Sequence, residues 1–341
     1  MFKYNNPLVT ICIPTHNSEI TIYESLKSIL CQTYKNIKIK ILDNASTDKT
    51  IKIIKSFRDK RIKIYKFKKK VSAEENFNRC IRVAEGKYTA IYHSDDLYKK
   101  DIVSMQVCFL EKNKSVGVVF TEGDLVDSNF EKISSIKSPL KRKNDNFNYD
   151  KNIVLKSLVK NYNFFLCPTA MVRTNIYKSE IKNFRHKLYE NSSDLDCWLR
   201  ILKNFYIGII KKNLISYRIS KNQQTFITRD YYKLPSFFKV MNYHLKKFKF
   251  FKNNHRCIKD YYILKNYIKL FLIIGHLKVN KLTYSEKFFH KIKLYYTASK
   301  RIQSSKRNIT YIILFFLKIT RHLKIVNKTF ISFLYYKFYK V

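Results

Sequence analysis

Three short polar runs carry residues whose types and spacing could do chemistry. Asp95 and Asp96 stand side by side behind His93-Ser94, Asp43 leads the run Asn44-Ala45-Ser46-Thr47-Asp48, and Pro14-Thr15-His16-Asn17 follows the first apolar stretch of the chain. Adjacent carboxylates suit a hard divalent cation such as Mg²⁺ or Mn²⁺, which prefers oxygen ligands and often shares them with substrate phosphates. Such a cation would neutralise a departing diphosphate and act as a Lewis acid. A carboxylate at Asp43 could accept the imide N–H of a uracil or thymine ring. Together these groups suit a nucleoside-diphosphate substrate.

They form one site only if the fold brings them to one edge. Up to residue 122, strand and helix patterns alternate. Apolar or alternating runs at Leu8–Ile13, Ile37–Leu42, Arg61–Phe67, Tyr88–Tyr92 and Val116–Thr121 predict strands. Glu19–Gln32 has Ile22, Leu26, Ile29 and Leu30 at helical spacing. Further helices are expected over Asp48–Phe57, capped by Ser46 or Thr47, and over Asp101–Lys112. Another should open at the Ser72/Glu75 capping box and run to Gly86. This alternation predicts an α/β fold with a mostly parallel sheet and helices on both faces. In such sheets, ligands bind beyond the carboxyl ends of the strands. The three polar runs close strands one, two and four. N-capping would explain any one of them, but three on one edge point to a site.

In order and spacing these segments resemble the GT-A glycosyltransferases of family 2. The carrying residues are Val9-Thr10-Ile11-Cys12-Ile13-Pro14-Thr15-His16-Asn17, Ser25-Leu26-Lys27-Ser28-Ile29-Leu30-Cys31-Gln32-Thr33-Tyr34, Ile41-Leu42-Asp43-Asn44-Ala45-Ser46-Thr47-Asp48, Ala84-Glu85-Gly86-Lys87-Tyr88 and His93-Ser94-Asp95-Asp96. The match spans about residues 7–122 and continues more weakly through Asn163–Arg173, Ser193–Arg200 and Ser216–Ser220. The resemblance implies a GT-A (Rossmann-like) fold with a nucleotide-sugar half over 1–122 and an acceptor half over 123–230. A basic, aromatic, mainly helical region would follow over 231–341. Pro14, Thr15, Asn17, Asp43, Asn78, His93, Ser94 and Asp96 would contact the donor, and Asp95 would ligate Mn²⁺ or Mg²⁺. Asp194 would be the general base of an inverting transfer, taking the acceptor hydroxyl proton. Trp198 and Arg218 are weaker candidates for acceptor or phosphate contact, with core packing the first reading of Trp198. Asp196 and Arg200 read as a structural i,i+4 pair. His93 replaces a commoner Asp, Ser220 replaces a His, and Lys68-Lys69-Lys70 replaces a turn; these lysines read as solvated.

Composition narrows the alternatives. Glycine occurs only at 86, 117, 123, 208 and 275, so neither GxGxxG nor GxxxxGK[ST] can be written. Seven cysteines with no CxxC argue against a disulfide framework and a structural zinc, and suggest a reducing compartment. The net charge of +43 invites a nucleic-acid-binding reading. However, 54 Lys against 14 Arg fits codon composition better than base or phosphate recognition, which favours Arg. The charge is also uneven: residues 231–341 hold 25 basic and 2 acidic residues.

Residues 123–160 are polar and read as a linker or a loop-rich crossing. Near the end of the chain, Ile312, Phe316, Ile319, Leu323 and Val326 form an apolar helical stripe opposite Arg321, Lys324 and Lys328. Such a helix could lie on an anionic membrane surface or pack on the catalytic domain. No apolar stretch reaches ~18 residues, and Met1–Pro14 lacks signal-peptide features.

The expectation is a metal-dependent inverting glycosyltransferase, cytoplasmic or peripheral on the inner membrane face. It would use a UDP-sugar first, or a dTDP-sugar second, and a glycan or lipid-linked acceptor in cell-surface polysaccharide synthesis. A basic nucleic-acid binder and a sugar-nucleotide binder without turnover are the competing readings.

Overall fold

The first apolar run folds as β1 (Val9–Thr15), buried along nearly its whole length. Burial on both faces is what a strand inside a parallel sheet requires. In the computed structural model, residues 6–141, 148–219 and 234–278 are described. β2 (Ile37–Asp43) and β4 (Tyr88–Ile91) flank β1 in parallel, and β3 (Ile62–Lys66) continues beyond β2. Across β4 lies the antiparallel β9 (Met171–Arg173). Next come β6 (Val116–Val126) and β10 (Tyr206–Arg218), parallel to each other. The two-residue β5 (Leu97–Tyr98) closes that end, so the order is β3-β2-β1-β4-β9-β6-β10-β5. Helices α1 (Ile22–Leu30), α2 (Thr50–Ser56), α3 (Ala73–Val83) and α4 (Ile102–Lys112) connect the strands of the first half.

Two apolar cores result. One contains Ile11, Ile22, Leu26 and Val103; the other contains Leu42, Ile81, Phe120 and Trp198. The expected parallel sheet is therefore present, with its polar runs on one edge: Thr15 and Asp43 are register partners at the last residues of β1 and β2.

Local chemistry sets several boundaries. Ser72 caps α3, its Oγ accepting the Glu75 N–H at 3.2 Å. The glutamate does not complete the capping box, because its carboxylate accepts from Asn78 (3.0 Å) and Arg82 (2.9 Å) instead. Neither Ser46 nor Thr47 caps α2: the helix starts later, and Asp48 accepts the Thr50 N–H at 3.0 Å. Gly86 has φ +75°, and a Cβ there would lie 2.5 Å from the Leu8 carbonyl oxygen, which explains a glycine in the turn before β4.

Among the described residues of 123–160, strand and helix replace the expected linker or loop-rich crossing. β6 runs on to Val126 and pairs antiparallel with β7 (Lys132–Ile136). The turn between them closes on Asp127, whose Oδ1 accepts from Asn129 N and Glu131 N. After β8 (Asn148–Tyr149), α5 (Lys151–Asn161) starts at Asp150, which caps the Ile153 N–H at 2.9 Å. β7 has no apolar alternation because it is exposed nearly throughout, so hydrophobic periodicity could not reveal it.

After β9 come the short helical turns α6 (Thr174–Ile176) and α7 (His186–Tyr189), then α8 (Ser193–Ile201). Beyond β10, α9 (Phe237–Lys247) buries Phe237, Phe238, Val240, Met241 and Leu245 in the core that contains Trp198. α10 (His255–Lys278) packs on α5. Among the described residues, no helix is long and apolar enough to cross a membrane. The stripe from Ile312 to Val326 and Ser220 lie outside the described residues. All seven cysteines lie within them and are free thiols.

Candidate active site

The loop after β4 gathers His93, Asp95 and Asp96, with one ligand atom from each within 4.8 Å of the others. Asp96 is fully buried; its Oδ1 accepts the Arg218 backbone N–H at 2.9 Å, and its Oδ2 lies 3.6 Å from His93 Nδ1. Burial and the adjacent Asp95 charge push the Asp96 carboxyl well above the ordinary carboxylate range. Burial lowers the affinity of His93 for a proton, with the Asp95 charge opposing it, which favours a neutral ring. Among the described residues, Asp96 Oδ2 and His93 Nε2 have no hydrogen-bond partner. A buried carboxylate oxygen without a partner, beside a second carboxylate, is what a hard cation would complete. The donor set therefore fits Mn²⁺ or Mg²⁺.

The loop is tied down from several sides. Ser25 Oγ donates to the His93 carbonyl (3.0 Å), the His93 N–H donates to Tyr98 Oη (2.7 Å), and Thr21 Oγ1 donates to the Ser94 carbonyl (2.9 Å). Ser94 Oγ lies 3.0 Å from Ser18 Oγ.

A second part of the edge lies over β1 and β2. Asp43 is buried, and its Oδ1 accepts from Ser46 N only at 3.4 Å, which leaves acceptor capacity on the carboxylate. Thr15 is also buried, with Oγ1 bonded to the Ile13 carbonyl, and Pro14 is half-buried. Asn17, at φ 47°, joins the first two strand-end loops: its N–H donates to Ser46 Oγ (3.0 Å), and its Oδ1 accepts the Thr47 N–H (2.9 Å). Asn44 exchanges two hydrogen bonds with the Val71 backbone, at 2.8 and 2.9 Å, and takes Arg79 at 3.0 Å. Lys68, Lys69 and Lys70, in the stretch before Val71, are exposed.

Asp194 lies in the first turn of α8 and lines a cavity of about 270 Å³ together with Phe77, His93, Phe165, Phe184 and Tyr217. Burial pushes its carboxyl up to about 6, against the pull of backbone N–H groups in the same turn. Among the described residues, its Oδ1 has no hydrogen-bond partner. The Tyr217 phenol is raised by burial and by the charges of Asp96, Asp95 and Asp194, so one ring lies within the field of both carboxylate groups. A carboxylate poised near neutrality thus shares a cavity with the cation-competent loop. That pairing suits proton removal from an acceptor beside a leaving phosphate.

Three further candidates, Asn78, Trp198 and Arg218, are held by contacts within the fold. Both amide atoms of Asn78 are engaged: Oδ1 accepts the Phe184 N–H at 2.7 Å, and Nδ2 donates to Glu75 at 3.0 Å. It fixes the segment carrying Phe184. Trp198 is 1% exposed, with its ring edge-on to Phe120 and Phe184. It is a core residue with no face left for an acceptor. Arg218 is buried with its guanidinium 4.0 Å from the Phe130 ring centroid; its N–H holds Asp96, and its charge lowers the Asp96 carboxyl's proton affinity. Tyr217, its neighbour, lines the cavity instead. Successive strand residues face opposite ways, so that alternation was the available signal for Tyr217. Phe165, Phe184 and Glu74 also line the cavity, and nothing in their spacing marks them.

The fold and the site define a GT-A glycosyltransferase. The chain belongs to glycosyl transferase family 2, whose model matches residues 10–179. It is 30% identical over 258 residues to an uncharacterized glycosyltransferase of Methanocaldococcus jannaschii, covering 74% of this chain and 84% of that one. It is 28% identical over 217 residues to the Escherichia coli UDP-Glc:alpha-D-GlcNAc-diphosphoundecaprenol beta-1,3-glucosyltransferase WfgD, covering 63% and 78%. Among solved structures, it resembles S. aureus TarS 1–349 in complex with UDP-GlcNAc, with a TM-score of 0.57 at 15% identity, covering 87% of this chain and 93% of that one.

Proposed function

We propose that this enzyme transfers a sugar from a UDP-sugar, with inversion and with Mn²⁺ or Mg²⁺, to a lipid-linked or glycan acceptor. A dTDP-sugar is the second choice of donor. The observation that carries the reading is the cavity shared by Asp194, pushed up to about 6 with an unpartnered oxygen, and His93 of the cation-competent loop. The E. coli relative acts on a diphosphoundecaprenol-linked sugar with UDP-Glc, and TarS binds UDP-GlcNAc; both favour a uridine donor, and the first favours a lipid-linked acceptor.

On this reading, Asp43 accepts the imide N–H of the pyrimidine, and Thr15 and Pro14 border the nucleoside. Asp95 and Asp96 hold the cation, with Arg218 adding positive charge beside Asp96. The bound cation would neutralise the diphosphate as it leaves. Asp194 takes the proton from the acceptor hydroxyl as its oxygen attacks the anomeric carbon from the side opposite the diphosphate. The excess of basic over acidic residues in 231–341 favours contact with an anionic membrane surface where a lipid-linked acceptor would be found.

The test is sugar transfer to a diphosphate-lipid acceptor from a panel of UDP-, dTDP- and GDP-sugars, with and without EDTA. A UDP-sugar should be used, EDTA should abolish transfer, and Mn²⁺ or Mg²⁺ should restore it. Full turnover in EDTA would overturn the metal dependence, and a preference for GDP-sugars would overturn the donor assignment. Tight nucleic-acid binding with a steep salt slope would favour the competing reading.

A further inference from the structure

Asp196 lies two residues beyond Asp194 on α8 and is fully buried. Three donor atoms from Arg185 and His244 hydrogen-bond to its carboxylate, and Arg200 joins them as an ion pair without hydrogen-bond geometry. Arg185 reaches it with Nε at 2.9 Å and with Nη2, Arg200 with Nε at 3.1 Å, and His244 with Nε2 at 2.8 Å. Each donor comes from a different place. Arg185 precedes α7, and its guanidinium lies over the rings of Tyr189 (5.3 Å) and Tyr243 (5.4 Å). Arg200 is on α8 itself and also donates to the carbonyls of Ile181 and Asn183, both at 2.6 Å. His244 comes from α9, in the C-terminal region, and is 1% exposed. A second link joins the same parts: Ser236 Oγ, just before α9, donates to Glu190 at 2.7 Å.

The glycosyl-transfer chemistry uses none of these groups. Asp196 is saturated and cannot serve as a base, and His244 is sealed in the interior. Burial opposes a charge on His244, so the neutral ring donates its Nε2–H to the carboxylate, and Nδ1 has no partner among the described residues. What the cluster does is fix α8 at its first turn.

We propose that His244 is a positioning residue for catalysis. From the C-terminal region it closes the charge cluster on Asp196, and so holds Asp194 in register with the acceptor hydroxyl. The inference rests on the reading of Asp194 as the base. Displacing a catalytic group by about 1 Å can cost about 10²-fold in rate, whereas the donor groups Asp43, Asp95 and Asp96 sit on strand ends apart from the cluster.

The experiment compares His244→Gln, His244→Asn and His244→Leu in the full chain, reading kcat, donor KM and Tm, with Asp194→Asn as control. Gln puts an amide N–H where Nε2 stood; Asn is too short to reach, and Leu has no donor. We expect kcat to fall about 10- to 100-fold in the Asn and Leu variants, with donor KM within about threefold of wild type and most of kcat retained by Gln. Should Leu fail to fold, the Gln–Asn pair decides. Equal kcat for Gln and Asn, or kcat and donor affinity falling together with Tm, overturns the inference. Inactive Asp194→Asn with normal His244→Asn refutes the positioning role alone. Normal turnover by Asp194→Asn refutes the base itself.

Discussion

Asp194 and Asp196 share one helical turn yet stand at opposite ends of carboxylate behaviour. Burial pushes Asp194 up to about 6, while His244, Arg185 and Arg200 overcome burial and hold Asp196 down to about 2. Two carboxylates whose surroundings separate their proton affinities mark a division of roles. On the proposed reading the raised one, which lines the cavity and carries a buried oxygen without a partner among the described residues, is the base, and the depressed one is the anchor.

The pH dependence of turnover follows. Asp194 must be ionised to accept a proton, so kcat/KM should rise with pH through about 6 and level off near neutrality. An acid limb at pH 4, typical of an exposed carboxylate, would contradict the burial argument.

Asp196→Ala should be much more costly to the fold than Asp194→Ala. It leaves two guanidinium groups without their buried carboxylate, and breaking a buried pair costs about 3–5 kcal/mol. Chemical denaturation checks this; a loss under about 1 kcal/mol would mean that the cluster is not a structural anchor.

Asp95→Asn should leave the fold intact, because Asp95 is only half-buried. It should weaken Mn²⁺ binding and lower turnover by about 10²-fold or more, the scale of losing one electrostatic stabiliser. Paramagnetic relaxation of water by bound Mn²⁺ reads the first effect. Unchanged binding and unchanged turnover would remove Asp95 from the cation site.

Gly86→Ala should destabilise the protein by more than about 1 kcal/mol, since it combines a strained φ with a backbone clash. A thermal melt within a degree of wild type would show that the turn relaxes freely.

The first half of the fold was legible because β1, β2 and β4 are buried apolar runs, β3 alternates and the helices are amphipathic, so hydrophobic period carried the information. β7 was not legible, because Lys132–Ile136 is exposed and has no period to read. At the site, strand-end carboxylates could be found from position alone. Asn78 could not be assigned from position: its partner Phe184 lies 106 residues away, and only the folded chain shows that both amide atoms are taken. Tyr217 and Arg218 show the same limit, since the register of β10 decides which of two neighbours meets the cavity. The link from His244 to Asp196 spans 48 residues, between a helix in the basic C-terminal region and α8, and no local pattern marks it.

The central claim is that Asp194 is the base and acts from a donor site that does not need it for binding. Asp194→Asn separates the two. Removing a charge that burial opposes should also stabilise the fold by about 1–3 kcal/mol at pH 7.5, because a raised carboxyl loses stability as pH rises through about 6. The decisive measurement is sugar transfer by this variant beside calorimetric titration with the UDP-sugar and Mn²⁺. The prediction is donor affinity within about threefold of wild type and transfer reduced by about 10³-fold or more, at the strong end for a lost general base. Transfer within about tenfold of wild type would contradict it.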